Sequence, residues 1–262
     1  MTAPAALEAP PREAVHKTAR TQDGVTIAYT HWRRPSPELV ILAPGFWRER
    51  RDREILFLAN HLFRRGYDVA ALDFRGHGES TGAYTFGATE GWDVRAVAED
   101  LAGHGMPYSR FAAVGLSMGG SILAEELAKT PLLPCRALAM ISSPADIFTL
   151  RPKPWKRDAA RQVRLRQAFR VPRIAARNLF APKPRAVEAI ARITAPKLIV
   201  TSEGDWLVDP SHGRLLAEAA APPVDHVHLT QPGSLHADAL VRFVPLRLLR
   251  LLDQWLLKNA PP

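Results

Sequence analysis

The stretch "AAVGLSMGGSILAEEL", residues 112–127, constrains this chain more than any other. An apolar run ends at Gly115, a helical pattern begins at Met118, and Ser117 stands alone between Gly115 and Gly119. An ordinary strand-to-helix turn does not need that spacing. A sharp corner that exposes a hydroxyl does, because side chains two residues to either side would collide in it. The free N–H groups and dipole of the following helix favour negative charge at the same spot. Acyl transfer needs a hydroxyl so placed. The competing reading is a glycine-rich helix start without chemistry. The strand before and the helix after favour a nucleophile.

The rest of the chain supplies a setting for such a corner. Apolar or β-branched runs predict strands over 25–32, 38–43, 68–73, 111–115, 137–142, 197–201 and 224–230. Helical patterns fall near 52–65, 90–104, 118–129, 211–220 and 238–258, the last with Leu248, Leu252 and Trp255 as an apolar stripe at i, i+4, i+7. Central strands that are apolar throughout are buried on both faces, which with intervening helices means a mostly parallel sheet covered by helices. The first two predicted strands have no helix between them and suggest an antiparallel edge. Residues 1–14 read as a disordered lead-in and 15–262 as a single domain. That opening has neither the basic nor the apolar stretch of a signal peptide. No window approaches the roughly 18 uninterrupted apolar residues of a membrane span. The single cysteine, Cys135, precludes an internal disulfide and suggests a reducing, cytoplasmic setting.

One segment breaks the alternation. Residues 146–185 show no strand pattern and contain five prolines, which predicts an excursion of two short helices split at Pro172. The net charge of +9 is concentrated there: residues 151–185 hold twelve Lys and Arg against the single acid Asp158, a net of +11, leaving −2 for the remainder. A basic insert in a nearly neutral body is not the signature of a general nucleic-acid binder, and no nucleic-acid partner is expected.

Four stretches in order resemble the α/β-hydrolase superfamily, in the branch of monoglyceride lipases, serine aminopeptidases and related esterases. "LAPGF" (42–46) is similar to its oxyanion loop, "DFRGHGES" (73–80) to the turn after its fourth strand, and "GLSMGG" (115–120) to its nucleophile elbow. "SEGDWLVDP" (202–210) and "GSLHAD" (233–238) resemble its acid and histidine loops. The resemblance runs from about residue 20 to 258. It implies an α/β-hydrolase fold, a mostly parallel sheet flanked by helices, with residues 146–185 as a short basic helical cap.

It also implies roles. Ser117 would be the nucleophile, which needs a base to take its proton. His236, in a loop before the C-terminal helix, would be that base, imidazole being suited by a titration near neutrality. His77 belongs to a turn the family uses structurally, and His226 and His228 lie within a strand pattern. Asp205 would orient His236, because in relatives the acid precedes a short apolar pair and a proline; Asp209 would then be a loop acid or helix cap. Main-chain N–H groups of Phe46 and Met118 would form the oxyanion hole. Many relatives carry His-Gly where this chain has Pro44-Gly45, a change that leaves a main-chain donor in place.

No metal-ligand cluster or nucleotide-binding glycine loop is present in the sequence, so no metal or cofactor is expected. Relatives with an aspartate nucleophile do other chemistry; here the position is serine. The expected activity is hydrolysis of a small-molecule carboxylic ester or thioester through an acyl-enzyme. Alternatives are an aminopeptidase, or an idle scaffold that binds an anionic partner. Arg161, Arg164 and Arg170 of the cap are the expected contacts for an anionic ligand or membrane surface. A merely solvated basic face is the plainer reading of that run.

Overall fold

The computed structural model describes residues 14–34, 36–103, 111–129, 135–156, 159, 171–179, 183, 185–231 and 233–262. The expected lead-in therefore lies outside the described residues apart from Ala14, and so do Arg161, Arg164 and Arg170 of the expected cap.

Eight strands form one sheet: β1 (Ala14–Arg20), β2 (Thr26–Trp32), β3 (Leu39–Ala43), β4 (Asp68–Leu72), β5 (Phe111–Leu116), β6 (Cys135–Ile141), β7 (Lys197–Ser202) and β8 (Val224–Leu229). Their order is β1-β2-β4-β3-β5-β6-β7-β8. The ladders from β4 to β8 are parallel, and β2 runs antiparallel to both β1 and β4. The antiparallel edge expected from residues 25–32 and 38–43 is corrected by this topology, since β4 lies between those two strands. All five residues of β3 are fully buried, which suits an interior strand, whereas the edge belongs to the mostly exposed β1.

Helices α1 (Arg53–Arg64), α2 (Gly91–Gly103), α3 (Met118–Lys129), α4 (Ala176–Leu179), α5 (Ala186–Ala189), α6 (Ser211–Ala219), α7 (Asp238–Phe243) and α8 (Pro245–Asn259) cover it. Alternate residues of β3 divide the core. Val40 and Leu42 face Leu58 and Leu62 of α1 and Leu248, Leu252 and Trp255 of α8. Leu39 and Ile41 face Val97 of α2 and Ile122 and Leu123 of α3. Burying each such side chain stabilises the fold by about 1.5–3 kcal/mol, which is why the interior strands carry unbroken apolar runs. The single helix expected over 238–258 is two, because Pro245 cannot continue the α7 hydrogen-bond ladder and instead begins α8.

The chain enters β3, crosses to β4 on one side, then crosses back to β5 on the other. The carboxyl ends of β3 and β5 therefore lie side by side, with Ala43 opposite Gly115, and a crevice opens beyond them. Open α/β sheets bind ligands at such a reversal of strand order. The described legs of the excursion after β6 are tied to loops at this end. Lys153 N–H donates to Trp206 O at 2.6 Å, and Arg173 N–H to Gly76 O at 2.9 Å.

Candidate active site

Ser117 sits at the corner between β5 and α3 with φ of 52°, a left-handed backbone that costs an L-residue on the order of 1–3 kcal/mol. The flanking glycines permit the corner. A Cβ on Gly119 would lie 2.2 Å from Ala43 O, and one on Gly115 2.3 Å from Gly120 Cα. Ser117 is 9% exposed, so its hydroxyl faces the crevice rather than open solvent.

His236 reaches it from the loop after β8, with Nε2 2.9 Å from Ser117 Oγ. Asp205, in the loop after β7, accepts from His236 Nδ1 at 2.9 Å through Oδ2. Its Oδ1 accepts the main-chain N–H groups of Leu207 (2.9 Å) and Val208 (3.1 Å), which hold the carboxylate in place. Because a carboxylate only accepts, the imidazole proton is held on Nδ1 and Nε2 is left as the acceptor for the serine hydroxyl. Asp209 is elsewhere: it accepts from Lys153 Nζ at 2.9 Å and from Ser211 N–H at 3.1 Å, and the lysine helps push its pKa down to about 2. His226 and His228 lie together on exposed β8, both facing Thr201 Oγ1.

The loop after β3 passes close to the serine, Gly45 being placed so that a Cβ would lie 3.1 Å from Ser117 Cβ. Arg48 N–H closes a turn on Gly45 O at 3.1 Å, and Trp47 takes a left-handed φ of 63° within it. Among the described residues neither Phe46 N–H nor Met118 N–H has a protein acceptor. A developing oxyanion could take both.

The turn after β4 braces that loop. His77, 4% exposed, accepts Trp47 N–H on Nε2 at 3.2 Å and has Nδ1 3.2 Å from Arg75 O. Burial drives its pKa down to about 4, keeping the ring neutral and able to accept. Asp73, fully buried, pairs with the Arg50 guanidinium and accepts Arg50 N–H at 2.7 Å.

A cavity of about 700 Å³ opens over Ser117 and His236. Phe46, Trp47, Tyr84, Phe86 and Trp206 line it with their rings, and Ile147 and Leu150 close it from the excursion. Among the described residues its charged lining residues are Arg48 and Asp238, bound to each other at 2.6 Å. Sequence reasoning missed this lining, which comes from stretches far apart in the chain. The aromatic run "YTF" (84–86) after the glycine turn was the available signal. No described helix is long and apolar enough to cross a membrane.

Comparison with known proteins places this geometry in context. The model of the alpha/beta hydrolase family matches residues 40–245. No curated protein matches the sequence. An esterase from Pyrococcus furiosus has a similar structure, with 19% identity, a TM-score of 0.74, and 96% of this chain and 99% of that one covered. An esterase from a Rhodococcus species is 18% identical over 94% of this chain and 99% of its own, with a TM-score of 0.71. A thermophilic esterase from Thermogutta terrifontis is 16% identical, with a TM-score of 0.68 and 94% and 99% covered.

Proposed function

The chain belongs to the α/β-hydrolase family, and from that premise we propose that it is a serine hydrolase cleaving uncharged, apolar carboxylic esters through an acyl-enzyme. The observation that carries the proposal is the relay from Asp205 to His236 Nδ1 (2.9 Å) and from His236 Nε2 to Ser117 Oγ (2.9 Å).

In this reading His236 Nε2 takes the hydroxyl proton as Ser117 Oγ attacks the ester carbonyl. Asp205 holds the ring in the required tautomer and stabilises the imidazolium that forms. The carbonyl oxygen becomes an oxyanion, met by Phe46 and Met118 N–H, donors that are absent from solvent competition once the cavity is filled. Collapse expels the alcohol, which receives the proton from His236. Water then attacks the acyl-enzyme, with His236 as base, and frees Ser117.

The cavity supports the substrate class. Its wall is aromatic and aliphatic, so each methylene of a bound chain gains about 0.8 kcal/mol on leaving water. An aminopeptidase would need a free carboxylate for the substrate's terminal ammonium. Among the described residues, Asp238 of the cavity lining is engaged with Arg48, and Asp205 behind His236 with that ring. A thioester would meet the same machinery. An acyl group bearing phosphates would depend on the basic residues Arg161, Arg164 and Arg170, which lie outside the described residues.

The test is a series of nitrophenyl esters from acetate upward. kcat/KM should rise by up to about fourfold per methylene until the cavity fills, and Ser117→Ala should remove the activity. A flat series, or a preference for charged acyl groups, would contradict the apolar assignment.

A further inference from the structure

Two loops that must act together here do not follow neighbouring strands of the sheet. Phe46 follows β3, whereas His236 follows β8, and four ladders separate those strands. Helices α1 and α7 pack together, with Ile55, Leu58 and Leu240 in one apolar cluster. Nearer the reacting centre an ion pair links the two loops. Arg48 Nη2 lies 2.6 Å from Asp238 Oδ2, with the side chains 13% and 15% exposed.

Both partners are coupled tightly to the groups of interest. Arg48 is two residues from Phe46 and closes its turn through the bond to Gly45 O. Asp238 is two residues from His236 and starts α7, whose first bonds, Ala239 N–H to His236 O at 2.8 Å and Leu240 N–H to Ala237 O at 3.0 Å, include the histidine's own carbonyl. Ala237 between them has a positive φ of 38°, so the loop is held in a conformation that it would leave if released. Burial and the nearby Glu54 push the pKa of Asp238 up, while Arg48 opposes them.

We propose that the Arg48–Asp238 pair fixes the spacing between the oxyanion donor on Phe46 and the base His236, making both positioning residues for the hydrolysis. The proposal rests on the serine-hydrolase reading above. A pair kept for stability alone is a poor explanation, because replacing a buried ion pair by apolar side chains of similar size is often neutral or stabilising. Geometry is the better one: a misplacement of about 1 Å at a reacting centre can cost about a hundredfold in rate.

The experiment uses Arg48→Met/Asp238→Leu together, with Arg48→Lys as the conservative variant. For a nitrophenyl ester the paired variant should lose about 10- to 100-fold in kcat with KM within about threefold and no fall in melting temperature. Arg48→Lys, which keeps a cation opposite Asp238, should recover most of kcat. Every variant should still take up a full equivalent of fluorophosphonate at Ser117, only more slowly. An unchanged kcat in the paired variant would overturn the proposal. So would a raised KM at constant kcat, which would make Arg48 a substrate contact. If the paired variant does not fold, Arg48→Gln alone carries the same kcat and KM comparison. Failure of the wild type itself to label would instead remove the serine-hydrolase reading, a distinct result.

Discussion

Replacing His77 by Phe should alter the response to acid more than any other single change near the oxyanion loop. The ring is 4% exposed, and its Nε2 accepts Trp47 N–H, which requires that nitrogen to be unprotonated. Burial lowers the pKa from 6.5 to about 4. The unfolded chain therefore takes up the proton first as pH falls. Stability from this site is whole above about pH 6.5, declines below it, and levels off near pH 4. At about 1.36 kcal/mol per pH unit, the interval corresponds to roughly 3 kcal/mol in total, of which about 2 kcal/mol falls between about pH 7 and about pH 4.5. His77→Phe keeps an aromatic ring against Phe46 and Tyr84 but leaves Trp47 N–H without its acceptor, at a cost of about 1–3 kcal/mol at neutral pH. Urea unfolding of both proteins from about pH 7 to about pH 4.5 makes the comparison, and titrations common to both cancel in the difference. The variant should lose about 2 kcal/mol less than the wild type over that range. Parallel curves would refute the assignment of a buried, neutral, accepting His77.

Other substitutions separate the remaining claims. Asp205→Asn should lower kcat by about 10⁴, whereas Asp209→Asn should cost only a few-fold by loosening Lys153; a larger effect at Asp209 would move the acid role to it. Gly119→Ala should abolish ester hydrolysis and lower the melting temperature, because its Cβ would lie 2.2 Å from Ala43 O and 2.4 Å from Pro44 O. Normal activity in that variant would mean that the corner is looser than described. For the basic excursion, KM for an anionic ester should rise with salt, as the Debye length falls from about 10 Å at 0.1 M to about 3 Å at 1 M, while a neutral ester is unaffected. Reversing the charges of Arg161, Arg164 and Arg170 should remove the difference, and equal salt responses from both esters would make the segment a solvated surface.

What could be read from the sequence follows how local each signal is. The Ser117 corner was legible because strand, glycines and helix are contiguous, and every constraint on it lies within a few residues. The interior strands announced themselves by unbroken apolar runs, as at β3 and β5, since both faces are covered. Strand β1 was not, because an edge strand with His16, Thr18 and Arg20 exposed carries little apolar periodicity. The neighbours of β2 were misjudged for a related reason: strand order is a property of crossovers, not of any one segment. The break at Pro245 could have been read from the proline itself. The Arg48–Asp238 pair could not, since it joins loops almost two hundred residues apart in a chain of 262.

The most direct test of the account is where a fluorophosphonate attaches. Intact mass measurement of the treated protein, followed by peptide mapping, should show a single adduct on Ser117, formed in step with loss of ester hydrolysis. The rate of adduct formation should fall steeply in His236→Ala, which leaves the hydroxyl without its base. An adduct on another residue, or a folded wild type that hydrolyses esters without modification of Ser117, would contradict it.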